Sequence, residues 1–310
     1  MKVSAHIGLF VTASAVMLSS ALLLPRTAVA KIKPGQYPAV HASLNDVANG
    51  GILLLQIDTG ALQLSDADMR IDFNDRSYQV YRHPAGEAGL YFALIGIPYR
   101  TRPGPQKLTL NYSDATVNKR RLISFQVVAG KYKTDLLKVD GRRVNPNRED
   151  LQRAGREHQE VKHVYASGIG ERLWDGKFQL PVENEISSLF GNRRVFNGQL
   201  KSYHNGLDFR SPKGTPVYAS NAGVVRLAKN LFYSGNVVII DHGTGIFSIY
   251  AHLSKIETAV GRRIEKGQLL GLTGATGRVS GPHLHWGVKL NAVAVNPLRF
   301  VEVMDELVRR

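Results

Sequence analysis

Residues 235–252 read GNVVIIDHGTGIFSIYAH. The runs 235–242 and 245–252 are rich in β-branched and aromatic residues, and glycine bounds both. Such side chains suit a pleated, half-buried surface, and glycine supplies the turn between them. The stretch therefore predicts two strands. The pattern continues outward through TPVYAS (215–220) and AGVVRLAK (222–229) on one side, and GQLLGLTG (267–274) and HLHWGVKL (283–290) on the other. With glycine at nearly every corner, these runs predict a compact antiparallel β domain over 177–302 with few helices. Residues 303–310 read as a C-terminal tail.

The chain is expected to be mainly β throughout. GILLLQID (51–58), SYQVYR (77–82), GLYFALIGI (89–97), QKLTLNY (106–112) and RLISFQVVAG (121–130) are bounded by Gly, Pro, Asp or Asn turn signals. Their intervals predict a β-sandwich-like accessory domain over 31–142. His41 and His83 are isolated there, which favours a surface or core role over chemistry. Between the two domains, 143–176 reads as a connecting helix and linker. Asn145 is placed to cap the helix, Pro146 suits its first position, and Glu149 and Asp150 complement its N-terminus. Leu151, Ala154, His158, Val161 and Tyr165 form one stripe at helical spacing. His158 and His163, five residues apart, would point about 140° from each other, so they form no ligand pair.

The first thirty residues have the layout of an export leader: Lys2, an apolar run from Ile7 to Leu24, a break at Pro25-Arg26, and the small-residue site Ala28-Val29-Ala30. The expectation is an exported protein of the periplasm or cell envelope, membrane-anchored where the leader is retained. The chain carries 40 basic and 25 acidic side chains, net +15. Removing a leader with two basic and no acidic residue leaves net +13. Outside the cell such a charge points to an anionic envelope polymer rather than nucleic acid. There is no cysteine, so a metal would have to be held by His, Asp or Glu.

Five of the ten histidines fall between 204 and 285. In HNGLDF (204–209), His204 and Asp208 would stand about 13 Å apart in a straight strand, so sharing an ion needs a bend. Asn205-Gly206 is a turn signal that provides one. In SGPHLHWGV (280–288), strand alternation puts His283 and His285 on one face, about 6.6 Å apart. Both could reach one ion, or one could bind while the other faces its water. His252 closes a strand in YAHL (250–253) and carries little weight alone. GLTGATGRVSG (271–281) lacks the Lys-Ser/Thr of a phosphate loop, so its glycines are read as turning the chain beside the site. VGRRIEKGQLLG (260–271) is similar to lipoyl and biotinyl carriers but has no lysine in the carrier position.

Taken in order, HNGLD, YAHLS and GPHLHWGV, with SSLFGNRR (187–194), GLDFRSPKGTPVYAS (206–220), GNVVIIDHG (235–243) and KGQLLGLTGATGRVSGPHLH (266–285), make residues 178–300 resemble the LytM/lysostaphin family of zinc endopeptidases that cut peptidoglycan peptides. The resemblance implies a secreted zinc metalloendopeptidase acting on peptidoglycan cross-links or stem peptides. It implies zinc ligands His204, Asp208 and His285, and two active-site histidines, His252 and His283, that are not ligands. Three protein ligands leave a position open for water and the scissile carbonyl. With no H-E-x-x-H, histidine takes the acid/base part: His283 removes a proton from the attacking water, and His252 stabilises or protonates the tetrahedral intermediate, or the two share these roles. The competing reading is a non-catalytic wall-binding or regulatory protein on the same fold, which some family members are. Such members lose ligands or active-site histidines, whereas all five positions are filled here. The N-terminal domain carries no comparable signature; wall binding, a regulatory protein partner, spacing, or cover for the zinc groove are the roles open to it.

Overall fold

The computed structural model of the chain describes residues 38–60, 62–113 and 118–309. The leader expected at 1–30 lies outside them. Among the described residues no helix is long and apolar enough to cross a membrane.

Two sheets face each other in the N-terminal region, as its turn spacing predicts. One has four strands, with Ile52–Asp58 paired to Leu90–Gly96 at its centre; the other has five, centred on the long hairpin Gly104–Ser113 and Asn118–Val128. Leu53, Leu55 and Ile57 point between the sheets, toward Ile71, Phe73, Leu108 and Phe125. The alternate residues of the same strands, Ile52, Leu54, Phe92 and Leu94, point the other way and are equally buried. They pack into the core of the C-terminal region with Trp174, Val293, Val295 and Phe300. A strand buried on both faces reads as a continuous apolar run, and ILLL is such a run. Each fully buried Leu or Ile contributes roughly 1.5–3 kcal/mol, so this second face fixes the two regions together. Residues 35–310 accordingly pack as one unit instead of two bodies on a linker.

The segment expected to be a tail is structural. Residues Pro297–Val308 form a helix, with the Asn296 side chain accepting from the Leu298 amide (3.0 Å) and Pro297 in the first turn. Phe300, Val303, Met304 and Leu307 recur at i, i+3, i+4 and i+7 and are fully buried. The expected boundary at 302 cuts through this apolar face.

The connecting helix runs Arg148–Ala166 and is capped by Asn147, whose side chain accepts from the Asp150 amide (2.8 Å), not by Asn145. Residues Gly141–Val144 already form a short helix that ends at Asn145. Its packing stripe is also shifted. Val161, Val164 and Tyr165 contact the sheet, while Leu151 and His158 are exposed. In the N-terminal half the inward stripe is polar, Asp150, Arg153, Ala154 and Glu157, with Arg153 bonded to Asn230 and Glu157 to the Phe232 amide, so apolar spacing does not mark it.

In the C-terminal region the strands Ile186–Ser188, Leu207–Phe209, Leu284–Leu290, Ile246–Ile256, Gly235–Asp241 and Gly223–Leu231 lie side by side in that order, all antiparallel. A three-stranded sheet stands beside them. In it Thr134–Leu137, from the end of the N-terminal region, runs parallel to Arg193–Phe196, which pairs in turn with Gln199–Tyr203. Asp135 is the register partner of Arg194.

Candidate metal centre and active site

Strand register does the first part of the assembly. Asp208 lies directly opposite His285, and His285 lies opposite Ala251 on its other side. Direct cross-strand neighbours have Cβ atoms about 4.5–5.5 Å apart, so two donors from distant segments meet without further arrangement. His204 joins them through the expected bend. At Gly206 a Cβ would stand 2.3 Å from the carbonyl oxygen of Trp286, so only glycine lets the chain turn this close to the Leu284–Leu290 strand. The His204 amide donates to the Asn192 carbonyl (2.9 Å) and fixes the near side of the turn.

The result is a triangle of donor atoms. His204 Nε2 lies 2.9 Å from Asp208 Oδ1 and 3.0 Å from His285 Nδ1, and His285 Nδ1 lies 2.9 Å from Asp208 Oδ1. His204 spends its proton elsewhere: Nδ1–H donates to the Leu189 carbonyl (2.8 Å), with Ser188 Oγ at 3.0 Å. Its Nε2 is therefore a bare lone pair. A single proton on His285 Nδ1 could serve one of the other two atoms but not both, whereas one cation among them serves all three. A tetrahedral ion with bonds of about 2.1 Å holds its ligand atoms about 3.4 Å apart, close to the spacing seen. The residues present fit a divalent metal, and two imidazoles with one carboxylate match a zinc donor set.

Asp208 has a second fixed partner. Arg194, itself largely buried, donates to Asp208 Oδ2, which leaves Oδ1 for the centre. Burial alone would raise the Asp208 carboxyl; its pairing with His204 first, then with His285 and the Arg194 guanidinium, holds it well below the usual carboxylate range. His285 is pushed down to about 4 by burial against the opposing pull of Asp208, so it is neutral and able to ligate at physiological pH.

Behind His204 runs a chain that begins in the N-terminal region. Ser188 Oγ–H donates to Asp135 Oδ2 (2.5 Å), and Asn192 Nδ2 donates to Asp135 Oδ1 (2.9 Å). The sequence His204 Nδ1–H, Ser188 Oγ–H, Asp135 carboxylate orients the ring and favours the tautomer that exposes Nε2.

His252 and His283 flank the triangle, with ring centroids 4.8 Å apart. Each donates Nδ1–H to a backbone carbonyl, His252 to Thr276 (2.8 Å) and His283 to Gly281 (2.9 Å). Each consequently presents an unprotonated Nε2. That of His283 is buried, without a hydrogen-bond partner, and 3.7 Å from Asp208 Oδ1. His252 has φ +65°, an unusual value for a residue with a side chain. It sits where strand alternation breaks, so that Ala251 and His252 line the same cavity. Backbone held this way at a ligand-facing residue is strain retained at a site. The glycine-rich loop supplies the carbonyl that anchors His252, in keeping with the expectation that its glycines turn the chain there. Burial, then the neighbouring His283 and His285, push His252 well below the ordinary imidazole value.

All five sequence-predicted residues thus meet: His204, Asp208 and His285 in the triangle, His252 and His283 beside it. Leu284 is fully buried in the core, which puts His283 and His285 on the opposite face, as alternation requires. His158 and His163 are exposed and take no part. Sequence reasoning missed Asp135, Ser188 and Arg194. The last two lie inside SSLFGNRR, and their signal was present there, but no spacing rule gives a buried serine or arginine its partner.

Two cavities open from the centre. One, about 230 Å³, runs past His252, His285 and Gly287 to Lys289 and Tyr165. The other, about 500 Å³, lies on the Asp208 and His283 side, and Thr134, Asp135, Leu136, Leu137 and Val139 form part of its wall. The N-terminal region thus builds one side of the groove, and among the described residues it adds no fourth donor to the group His204, Asp208 and His285. Arg278, held between the rings of Phe196 and Tyr233 at 4.5 Å from each centroid, lines both cavities.

Residues 202–297 match the description Peptidase family M23. The peptidoglycan DD-endopeptidase ShyA of Vibrio cholerae is 41% identical over 138 residues, 44% of this chain and 32% of its own length. The DD-carboxypeptidase/endopeptidase Mpg of Neisseria meningitidis is 39% identical over 126 residues, 41% of this chain and 29% of its own. The chain therefore spans about a third of the length of these curated relatives. A crystal structure from Pseudomonas aeruginosa assigned to peptidase M23 aligns at 33% identity with a TM-score of 0.64, over 83% of this chain and 96% of that one. That alignment is too long for the C-terminal region alone, so it includes N-terminal strands.

Proposed function

We propose that this chain, which belongs to peptidase family M23, is a zinc endopeptidase that hydrolyses peptide bonds in peptidoglycan cross-links or stem peptides. The observation that carries the reading is the triangle of three electron-pair donors 2.9–3.0 Å apart, faced by two histidines with bare Nε2 atoms. A structural histidine cluster would pair its lone pairs with protons. This one aims them at a common point and at the space in front of it.

His204 through Nε2, Asp208 through Oδ1 and His285 through Nδ1 would hold the zinc. When bound, zinc supplies a Lewis acid for the scissile carbonyl and acidifies a water molecule. The chain's own residues supply the rest. Arg194 neutralises Asp208 and occupies Oδ2, so that Oδ1 faces the centre. His283 Nε2 accepts the proton of the attacking water, and its Nδ1–H bond to Gly281 stabilises the imidazolium that forms. Burial holds His252 neutral, so it too begins as an acceptor at Nε2 and donates to the intermediate or the leaving amine only after receiving a proton. This sharpens the roles read from sequence: both histidines tie Nδ1 to a carbonyl and turn Nε2 inward, and their division of labour follows which one meets the water. Positioned acid/base groups of this kind contribute roughly 10²–10⁴-fold each.

We place the protein outside the cytoplasm, in the periplasm or cell envelope. The leader-like N-terminus supports this, and net +15 suits an anionic envelope polymer reached by electrostatic steering. The test is zinc content of the purified protein together with mass spectrometry of muropeptides released from isolated peptidoglycan. Stoichiometric zinc with newly cleaved peptides is the expected result. Zinc-loaded protein that binds walls and releases no cleaved peptide overturns the enzyme reading in favour of a wall-binding protein.

A further inference from the structure

His285, Gly287 and Lys289 alternate along the Leu284–Leu290 strand and share the face that lines the groove. The cavity of about 230 Å³ follows this face from the triangle to Lys289. Its floor is low at Gly287, which has no side chain and pairs across to Ile249. Its far end is closed by Tyr165 of the connecting helix, whose ring centroid lies 4.2 Å from Lys289 Nζ. Lys289 stands four residues beyond His285, about 13 Å along the strand, the span of an extended peptide of up to about four residues.

The charge of this cavity is unbalanced. Arg194, Arg278 and Lys289 line it, and among the described residues no Asp or Glu does. Arg194 is neutralised by Asp208, and Arg278 is stacked between two rings. Lys289 is half-buried, makes no ion pair or hydrogen bond with the described residues, and lies over the face of Tyr165. Burial and nearby Arg76 lower its ammonium to about 8, the mark of a cation without a counter-charge. Holding a lysine in such a place costs stability unless something anionic arrives. The cavity that Lys289 lines reaches back to His285 and His204, so an anion bound at the lysine would lie along the same groove as the metal centre.

We propose that Lys289 is an anion subsite of the groove, taking a free carboxylate of the substrate peptide a few residues from the scissile bond. The proposal rests on the peptidase reading above and narrows it: the enzyme prefers cross-linked peptides whose carboxylates are free over those in which they are amidated. Tyr165 orients the ammonium through its ring face, so the subsite is shared between the Leu284–Leu290 strand and the connecting helix, which lies outside residues 202–297.

The test uses the full-length zinc-loaded protein, a purified cross-linked muropeptide dimer, and the same dimer with its carboxylates amidated. Binding is measured by anisotropy of labelled peptide, and KM and kcat by chromatography of the products. Charge-assisted bonds lost on amidation are expected to raise Kd and KM about tenfold, with kcat little changed. Lys289→Met should erase the preference, and Lys289→Arg should keep most of it. Equal binding of acid and amide by the unaltered protein overturns the proposal, as does full retention of the preference in Lys289→Met. If Lys289→Met does not fold, the acid-against-amide comparison on the unaltered protein and on Lys289→Arg still decides. A binding preference without cleavage of either dimer sinks the peptidase reading and leaves the subsite standing.

Discussion

Two buried histidine sites in the C-terminal region differ in one respect that separates structure from chemistry. His242 is fully buried, and both its ring nitrogens are occupied: Nδ1–H donates to the Ala222 carbonyl (2.7 Å), and Nε2 accepts from Ser248 Oγ (2.7 Å). A chain of hydroxyls links that serine to Tyr250 and Ser220. The site is closed, with a proton for each lone pair. At the triangle and beside it, His204 and His252 are buried and His283 and His285 nearly so; His204, His252 and His283 tie Nδ1 to backbone carbonyls and turn Nε2 inward, toward Asp208 and His285 Nδ1, where acceptors outnumber protons. Burial and hydrogen bonding are common to both sites. Only the second leaves acceptors without donors, and a buried unpaired acceptor is costly enough that it implies a partner from outside the chain.

The comparison breaks most visibly if the triangle is not the metal centre. Ala at His204, Asp208 or His285 should remove stoichiometric zinc and lower turnover about 10⁴-fold or more, because the Lewis acid and its activated water go together. Metal analysis alongside peptide-release kinetics checks this. A protein with His285→Ala that keeps both zinc and activity would refute the assignment. Next in size, Ala at His252 or His283 should leave zinc in place and cost roughly 10²–10⁴-fold in kcat. Stoichiometric zinc with near-normal turnover in His283→Ala would show that its bare Nε2 is not the proton acceptor.

A smaller effect lies one step behind the ligands. If the Asp135–Ser188–His204 chain sets the His204 tautomer, Ser188→Ala and Asp135→Ala should weaken zinc roughly 10- to 100-fold. Chelator competition measures this directly. Melting of the metal-free protein serves as the control, since a residue that only supports the fold would lower that too. Unchanged affinity in both variants would reduce the chain to packing.

What the sequence made legible follows the same division. Local patterns carried the strands, because alternation and glycine corners are properties of neighbours in the chain. Spacing brought out the His and Asp pairs, and the ordered motifs resolved HLH into one ligand and one neighbour. Asp135 escaped because its partners lie 53 and 57 residues away, and nothing near it marks it as other than a strand residue. Lys289 escaped for a related reason: its meaning depends on Tyr165, 124 positions upstream, and on the absence of an acid that no local window can show. The helix Pro297–Val308 was readable in principle from Phe300, Val303, Met304 and Leu307. Reading 303–310 as a tail cut that periodic run in half. Leu151 erred in the opposite direction: it is apolar but exposed, one residue off an inward stripe that is polar in this half of the helix.

The smallest expected effect belongs to the closed site and tests stability instead of catalysis. Burial pushes His242 from an ordinary value of 6.5 down to about 4, against the pull of its bond to Ala222. The unfolded chain therefore binds a proton below pH 6.5 that the folded chain refuses until about pH 4, so stability contributed here is full above 6.5 and lost as pH falls through that window. The loss is on the order of 3 kcal/mol by pH 4. Because His242 touches no part of the triangle, His242→Gln should keep zinc and kcat close to normal at pH 7 while lowering stability there. Its unfolding free energy, followed by denaturant titration from pH 7 to pH 4, should fall less steeply than that of the unaltered protein by about that amount. Parallel pH profiles for the two proteins would mean that His242 accepts a proton without cost, and that the closed site is less closed than its hydrogen bonds indicate.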